Sequence, residues 1–232
     1  MFSHETDDTF ARVPLQAHVE ELRRRCEAVA RFQGGSTHYL EEISVFRNYS
    51  QEKGLILSAK PEFINGPPDE EGNEHQVWFN ANTACFVKAT WPDFFGLLVL
   101  HRFDEEERAS PIAYLERWHL HNELFGDSVR FVGVIQEYGK MRLLIEQPAI
   151  EGQPATVEQI NEFFTRNGWL RFTANDEIAY FDPEKNVVIS DTHRGNLILM
   201  SDGLLAPIDL RVQSISGGLL EHVKKASRAP FI

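Results

Sequence analysis

The stretch Asp191-Thr192-His193-Arg194-Gly195-Asn196, followed by Ile208-Asp209, decides how this chain is interpreted. It presents three oxygen-bearing side chains, Asp191, Asn196 and Asp209, at spacings of five and thirteen residues. Phosphoryl transfer needs such a set, because one carboxylate orients the attacking hydroxyl while a carboxamide and a second carboxylate hold magnesium on nucleotide phosphates. Apolar segments typical of β-strands flank the loop, so we expect both of its ends to be anchored in a sheet.

A lysine lies upstream in a run that is typical of a β-strand, Cys85–Thr90. Alternation along a strand places Lys88 on the same face as Phe86, and a lysine facing inward needs a negative partner such as a phosphate. The alternative is that Lys88 extends its stem along the sheet edge and keeps its ammonium in water. The helix predicted after Ser110 offers Glu116 or Glu123 as a second partner. We favour Glu116, because it leaves about three helical turns before the next strand.

The order of predicted elements is typical of an α+β protein with two lobes. Strands, a helix and two further strands precede a second helix and a small strand cluster that carries the acidic motif. The chain does not alternate strand and helix as a doubly wound parallel sheet does. We therefore divide it into an N-terminal helical extension (residues 1–40), a lobe with an antiparallel sheet and one helix (41–147) and a reduced C-terminal lobe (148–232).

The individual predictions rest on periodicity, caps and turn residues. Apolar residues at helical spacing predict a first helix from Leu15 to about Phe32, ended by Gly34-Gly35, and the pattern becomes strand-like from Ile43 to Phe103. The remaining predicted helices are Pro111 to about Leu124, Val157 to Arg166 and a C-terminal helix from about Leu219. The remaining predicted strands are Val129–Ile135, Met141–Ile145, Glu177–Phe181, Asn186–Ile189, Leu197–Met200 and Leu204–Val212.

The composition limits the classes of partner. The formal charge is −12, from 23 basic and 35 acidic residues, which argues against binding to nucleic acid or anionic membranes through bulk electrostatics. The acidic start lacks the basic end and apolar run of a secretory signal, and no apolar stretch is long enough to span a bilayer. The two cysteines have no metal-ligand spacing. We therefore expect a cytoplasmic protein.

Several motifs resemble those of the protein-kinase-like superfamily. The loop Asp191–Asn196 is similar to the Asp-x-His-x-Gly-Asn loop of aminoglycoside and choline phosphotransferases. Other stretches look closer still to the kinase-like domain of polyvalent proteins of phages and mobile elements, with a resemblance that covers roughly residues 40–215. These stretches are Gly72–Val77, Phe86–Thr90, Phe94–Gly96 and Asn122–Gly126.

The resemblance implies a kinase-like two-lobe fold that uses ATP and Mg²⁺ to phosphorylate a hydroxyl group. By analogy Asp191 is the catalytic base, and Asn196 and Asp209 bind magnesium. Lys88 holds the nucleotide phosphates, with Glu116 as its partner. Glu146-Gln147 forms the hinge beside adenine. The acceptor, a protein or a small molecule, is not specified by these motifs.

The sequence also departs from that pattern, which keeps two alternatives open. No Gly-x-Gly-x-x-Gly loop is present to cover the phosphates, and few residues follow Asp209. A catalytically inactive module that binds nucleotide or a partner protein is therefore the first alternative. The second is a metallophosphoesterase, because Val188–His193 looks like the first metal-binding motif of that class. The downstream Gly-Asp and Gly-Asn-His motifs of that class do not follow.

Overall fold

The structure, a computed structural model, describes residues 13–33, 38–61, 64, 66–101 and 107–228. The helices are α1 (Leu15–Gln33), α2 (Tyr39–Glu52), α3 (Pro111–Phe125), α4 (Val157–Arg166) and α5 (Gly217–Ala226). The strands are β1 (Glu70–Glu71), β2 (His75–Asn80), β3 (Cys85–Thr90), β4 (Arg130–Glu137), β5 (Lys140–Pro148), β6 (Gln153–Pro154), β7 (Leu170–Ala174), β8 (Glu177–Asp182), β9 (Val187–Ser190), β10 (Leu197–Leu199), β11 (Leu205–Pro207) and β12 (Arg211–Ser214). These elements confirm the predicted α+β class.

The chain divides into two compact units. The first unit contains the chain up to Gly96 together with Arg108–His119 and Asp127–Ala149. The second contains Leu97–Glu107, Leu120–Gly126 and the chain from Ile150 onward. Helix α3 therefore contributes residues to both units. Among the described residues, no helix is long and apolar enough to cross a membrane.

The first unit is built on an antiparallel sheet with strand order β1-β2-β3-β5-β4. Strand β5 lies between β3 and β4 and is buried along most of its length, because its alternate residues join separate apolar clusters. The first helix was correctly predicted, although Gly34-Gly35 lies outside the described residues. One buried cluster joins apolar residues of α1, such as Val19 and Leu22, to residues of α2, α3, β4 and β5. Helix α1 is thus part of the core of this unit.

Helix α2 corrects the prediction of a strand-like pattern from Ile43 onward. The segment contains Ile43, Val45, Phe46 and Tyr49, which are residue types enriched in strands. Helical spacing nevertheless buries Phe46 and Tyr49 in the same cluster, and Ile43 and Val45 pack against it. Helix packing therefore overrides strand propensity here. Farther along the stretch predicted to be strand-like, Leu55–Leu57 forms only a single bridge, between Ile56 and Val134.

The second unit contains two small antiparallel sheets, with strand orders β12-β9-β8-β7 and β11-β10-β6. Helix α4 has the predicted bounds, and the Thr156 hydroxyl oxygen caps it by accepting from the Gln159 backbone N–H at 3.2 Å. Strand β7 was missed in the sequence. The single strand predicted over Leu204–Val212 is instead two strands, β11 and β12, which belong to different sheets. The break between them contains Asp209.

Candidate functional site

Antiparallel pairing brings the two ends of the acidic motif to the same end of a sheet. Strand β9 is buried at every position and ends at Ser190, directly before Asp191. Strand β12 pairs with it so that Arg211 lies opposite Ser190. Because the strands are antiparallel, the chain enters β12 where it leaves β9, which places Asp209 beside the loop that begins at Asp191.

A second pairing brings Asn196 to the same place. Asn196 ends a short 3₁₀ helix (Arg194–Asn196) and is followed at once by β10, which forms a hairpin with β11. The Ile208 backbone N–H donates to the Asn196 carbonyl oxygen at 2.9 Å. The Asn196 side-chain Nδ2 donates to the backbone oxygens of Asp191 at 2.9 Å and Asp209 at 3.0 Å. The carboxamide thus ties together the backbones of the two predicted acidic site residues.

Asp191 adopts a left-handed backbone conformation with φ of 61°. Only a few per cent of residues other than glycine have positive φ, and Asp is among those that tolerate it best. Strained positions of this kind cluster at functional sites. The Asp191 side chain is only partly buried.

His193 is oriented by its own loop. Its Nδ1 accepts from the Gly195 backbone N–H at 3.0 Å, so in the neutral ring the proton lies on Nε2. Nε2 lies 3.5 Å from Asp191 Oδ1. A Cβ at position 195 would lie 3.0 Å from the imidazole Cε1. Glycine at position 195 therefore avoids a steric clash with the His193 ring.

Arg211 is a residue of the site that the sequence did not indicate. Its Nε lies 3.9 Å from Asp191 Oδ2, and its Nη1 lies 3.6 Å from Glu177 Oε2 at the start of β8. The Arg211 side chain is mostly buried, with 14% of its area exposed. The Asp191 carboxylate therefore has a histidine near one oxygen and a guanidinium near the other. The signal was weak, because an Arg that begins a short edge strand is usually a surface residue.

The side-chain oxygens of Asn196 and Asp209 fit magnesium better than a metal that takes three or more ligands from protein side chains. Both amide hydrogens of Asn196 are used by backbone oxygens, which leaves Oδ1 as the atom that a cation would bind. Together with the Asp209 carboxylate this provides two oxygen ligands, and Mg²⁺ in nucleotide sites is held by few protein oxygens plus phosphates. No group of three or more His, Cys, Asp or Glu suited to a metal occurs in the part of the chain that the structure describes.

Lys88 is buried in the first unit. It lies in β3 opposite Val77 on one side and Ile145 on the other, and only 6% of the residue is exposed. Its Nζ lies over the ring of Trp118 on α3, 4.8 Å from the ring centroid. The alternative in which Lys88 extends to solvent at a sheet edge is wrong, because β3 has neighbours on both sides.

The structure does not bring Glu116 to Lys88. The Glu116 carboxylate pairs with Arg23 Nε of α1 at 2.5 Å. Glu116 is two residues from Trp118, or about 200° around the helix, and so faces away from the side that Trp118 turns to Lys88. The preference for Glu116 over Glu123 is therefore withdrawn.

The two predicted hinge residues differ in their surroundings. Glu146 is paired in register with Val87 on one side and Arg130 on the other, so its backbone lies inside the sheet. Its carboxylate accepts from Thr83 Oγ1 at 2.9 Å and pairs with Arg130. This geometry argues against a contact of Glu146 with adenine, which needs backbone groups not already used in the sheet.

Gln147 lies at the margin of the sheet. It pairs with Phe86 on one side, whereas β4 starts opposite the preceding residue. Its Nε2 donates to Asp127 Oδ2 at 2.5 Å. Gln147 therefore stays a prediction as a nucleotide-contacting residue.

A buried ion pair in the first unit was missed in the sequence. Arg117 of α3 pairs with Glu74, which directly precedes β2, and both residues are more than nine-tenths buried. The carboxylate of Glu74 packs against Gly96, where a Cβ would lie 2.9 Å from Oε2. These contacts explain two stretches on which the family resemblance rested, Gly72–Val77 and Phe94–Gly96. The sequence indicates only that Arg117 follows an apolar run in α3. Its partner, Glu74, can be identified only from the folded structure.

Comparison with protein families gives a match over residues 40–214, which is well over half of the chain. The matching family is described as a serine/threonine/tyrosine kinase found in polyvalent proteins. No curated protein gives a significant match. No solved structure does so either. The matched segment contains Lys88, the Asp191–Asn196 loop and Asp209. The chain therefore belongs to the family of serine/threonine/tyrosine kinases found in polyvalent proteins.

Proposed function

We propose that this protein is an ATP- and magnesium-dependent phosphotransferase that acts on a hydroxyl acceptor. The observation that carries the proposal is the pair of hydrogen bonds from Asn196 Nδ2 to the backbones of Asp191 and Asp209. They gather a candidate base and two candidate magnesium ligands around one loop. Membership of a kinase family supports the same reaction class.

Each residue has a distinct role in the proposed reaction. Asp191 accepts the proton of the acceptor hydroxyl and orients that oxygen toward the γ-phosphate. The Asp209 carboxylate and Asn196 Oδ1 hold Mg²⁺, which when bound offsets the negative charge of the phosphates. Lys88 contributes a further positive charge to the phosphates, and Gln147 contacts the nucleobase.

His193 and Arg211 act on the base and not on the nucleotide. His193 Nε2 lies 3.5 Å from one Asp191 oxygen, and Arg211 Nε lies 3.9 Å from the other. An imidazole N–H and a positive guanidinium near opposite oxygens favour one orientation of the carboxylate electrostatically. Precise orientation matters because a misplaced base loses most of its catalytic advantage.

The acceptor is proposed only as a class. A hydroxyl group on a protein or on a small molecule fits the chemistry of Asp191. The formal charge of −12 disfavours nucleic acid as the acceptor, because phosphate backbones bind to positive surfaces. We also propose that the protein acts in the cytoplasm without binding a membrane.

Purified protein tests the proposal through ATP binding by calorimetry, with and without Mg²⁺, and through release or transfer of the γ-phosphate. We expect magnesium-dependent binding, and we expect Asp191→Asn to lower turnover by about 10²- to 10⁴-fold while the Kd for ATP changes little. Asp202→Asn is the matched control, because Asp202 caps an exposed turn of the same unit by accepting from the Leu204 N–H at 3.0 Å.

Three results would distinguish the alternatives. Absence of ATP binding would overturn the proposed cofactor. Binding without any turnover would favour an inactive nucleotide-binding module. Turnover that survives Asp191→Asn would show that the base is another residue.

A further inference from the structure

The indole ring of Trp118 lies beside two cationic groups of the first unit. Lys88 Nζ is 4.8 Å from the ring centroid, and the Arg117 guanidinium carbon is 5.1 Å from the same centroid. Trp118 is fully buried, and at most 6% of Lys88 or Arg117 is exposed. Neither the burial of Trp118 nor its place in a helix requires a cation beside the ring.

Burial makes the position of Lys88 energetically demanding. An ammonium group removed from water loses its hydration and must find compensating charge or polarisable surface. The face of an indole is the best aromatic partner for a cation, and this attraction is strongest when the pair is desolvated. Trp118 therefore stabilises the Lys88 ammonium in one position beside the ring. It disfavours the other positions that the flexible lysine side chain could reach.

A second cation at the same ring would normally oppose the first. The Arg117 and Lys88 charges lie near the same ring, and two like charges in a buried region repel each other. Glu74 offsets the Arg117 charge through the buried ion pair. Glu74 contacts Arg117, and both Arg117 and Lys88 contact the ring of Trp118. Because Glu74 offsets the charge of Arg117, both cations can lie beside this ring.

The surroundings of Glu74 and Trp118 hold this series in place. Gly96 has φ of 87° and leaves the space that the Glu74 carboxylate occupies. His75 Nε2 and the Tyr114 hydroxyl form a hydrogen bond of 2.9 Å, and the His75 ring lies 6.3 Å from the Trp118 ring. Tyr114 and Trp118 lie one helical turn apart on α3, so the same face of the helix presents both rings to the start of β2.

We propose that Trp118 is a positioning residue for Lys88 and that the Glu74–Arg117 pair makes this role possible. Trp118 fixes where the ammonium lies, and Lys88 presents its charge to nucleotide phosphate from that place. The first statement stands on the geometry of one unit. The second rests on the proposed phosphotransferase function.

Nuclear magnetic resonance of the protein labelled with ¹³C at the lysine ε-carbons tests the first statement without any nucleotide. Protons over an aromatic face resonate upfield, so we expect one lysine εCH₂ signal to be displaced from the others. Lys88→Arg assigns that signal by removing it. Trp118→Leu should return it to the ordinary position, whereas Trp118→Phe, which keeps an aromatic face, should retain part of the displacement.

Trp169→Leu is the matched control, because Trp169 is a buried tryptophan of the second unit. It should leave the Lys88 signal unchanged even if it lowers the melting temperature. An ordinary Lys88 signal in the wild-type protein would overturn the proposal. So would a displaced signal that survives Trp118→Leu in a folded variant.

Calorimetry with ATP and Mg²⁺ tests the second statement. We expect Trp118→Leu to weaken ATP binding about tenfold and Trp118→Phe to weaken it less. An unchanged Kd in Trp118→Leu would overturn the role in phosphate binding. If wild-type protein shows the displaced Lys88 signal but binds no ATP, the positioning of Lys88 stands and the proposed function fails.

Discussion

The Asp191 loop of the second unit and the Lys88 region of the first are held in place in different ways. Strand register, a short 3₁₀ helix and the two hydrogen bonds from Asn196 fix the loop, and its residues lie within twenty positions of one another. Contacts among the side chains of Glu74, Lys88, Arg117 and Trp118 fix the lysine, and these residues come from a loop, a strand and a helix. The comparison shows that a site built by local backbone pairing can be recognised from the spacing of its residues in the sequence. A site built by packing of side chains from distant segments cannot.

The largest expected effect is a difference in stability between variants of two glutamates of the first unit, Glu74 and Glu116. Glu74→Gln removes the carboxylate from a buried ion pair with Arg117, so we expect a loss of about 3–5 kcal/mol in the free energy of unfolding. Glu116→Gln breaks a partly exposed pair with Arg23 and should cost about 1 kcal/mol or less. Denaturant unfolding measures both.

The double variant Glu74→Gln/Arg117→Met provides the control for that prediction. It removes both buried charges together, so it should recover much of the stability that Glu74→Gln loses. Equal destabilisation by Glu74→Gln and Glu116→Gln would contradict the importance of burial in this comparison.

The second prediction concerns the tie between the two ends of the acidic motif. Asn196→Asp keeps an oxygen ligand for magnesium but removes the two donors and places a carboxylate against two carbonyl oxygens. We expect turnover to fall about a hundredfold or more, as when a positioned donor is lost from an active site. Asn196→Ala should be similarly impaired. Full activity of Asn196→Asp would mean that the tie to Asp191 and Asp209 is not needed.

The third prediction tests whether Gly96 serves the Glu74 pair or only a turn. Gly96→Ala adds a Cβ at 2.9 Å from Glu74 Oε2 at a positive φ of 87°, so we expect a cost of about 2–3 kcal/mol. Gly139→Ala is the control, because Gly139 has φ of 80° but its Cβ would meet nothing within 4 Å. Gly139→Ala should show only the backbone strain, about 1 kcal/mol. Equal changes in melting temperature for Gly96→Ala and Gly139→Ala would refute the claim that Gly96 leaves space for the Glu74 carboxylate.

The smallest expected effect concerns the turn that leads into β9. Burial alone would raise the pKa of the Asp182 carboxyl, but hydrogen bonds from the Lys185 and Glu184 backbone N–H groups and the Lys185 ammonium outweigh it, so the pKa lies below its ordinary value. A lowered folded-state pKa stabilises the protein above the unfolded pKa, about 3.9, and that stabilisation is lost as the pH falls through the folded value.

Asp182→Asn removes this titration from the acidic end of the stability profile. At neutral pH we expect it to lower the free energy of unfolding by about 1 kcal/mol, because the ion pair to Lys185 is lost. The difference between the two melting temperatures should shrink as the pH falls below about 4. A difference that stays constant from neutral to acidic pH would show that the Asp182 carboxylate does not contribute through its charge.

The parts of the fold that the sequence predicted well are those with local determinants. The bounds of α4 follow from Thr156 and the apolar positions after it, and those of β3 from its β-rich run. The spacing from Asp191 to Asn196 gave the candidate loop for the same reason. Its proposed catalytic and metal-binding roles stay predictions.

The parts that the sequence predicted poorly depend on tertiary contacts. Helix α2 was missed because its β-branched and aromatic residues favour strands, whereas packing against α1 makes them helical. Glu116 was preferred over Glu123 from helical spacing alone, which cannot reveal that Arg23 of α1 approaches Glu116. Arg211 was overlooked because its approach to Asp191 depends on the register of β12 with β9.

The most direct test of the central claim is calorimetric titration with ATP in the presence and absence of Mg²⁺, on wild-type protein and Asp209→Asn. We predict that magnesium strengthens ATP binding to the wild-type protein about tenfold or more and that Asp209→Asn abolishes most of this gain. Magnesium dependence that is the same in both proteins would contradict the claim that the Asp191–Asn196 loop and Asp209 form a magnesium–nucleotide site.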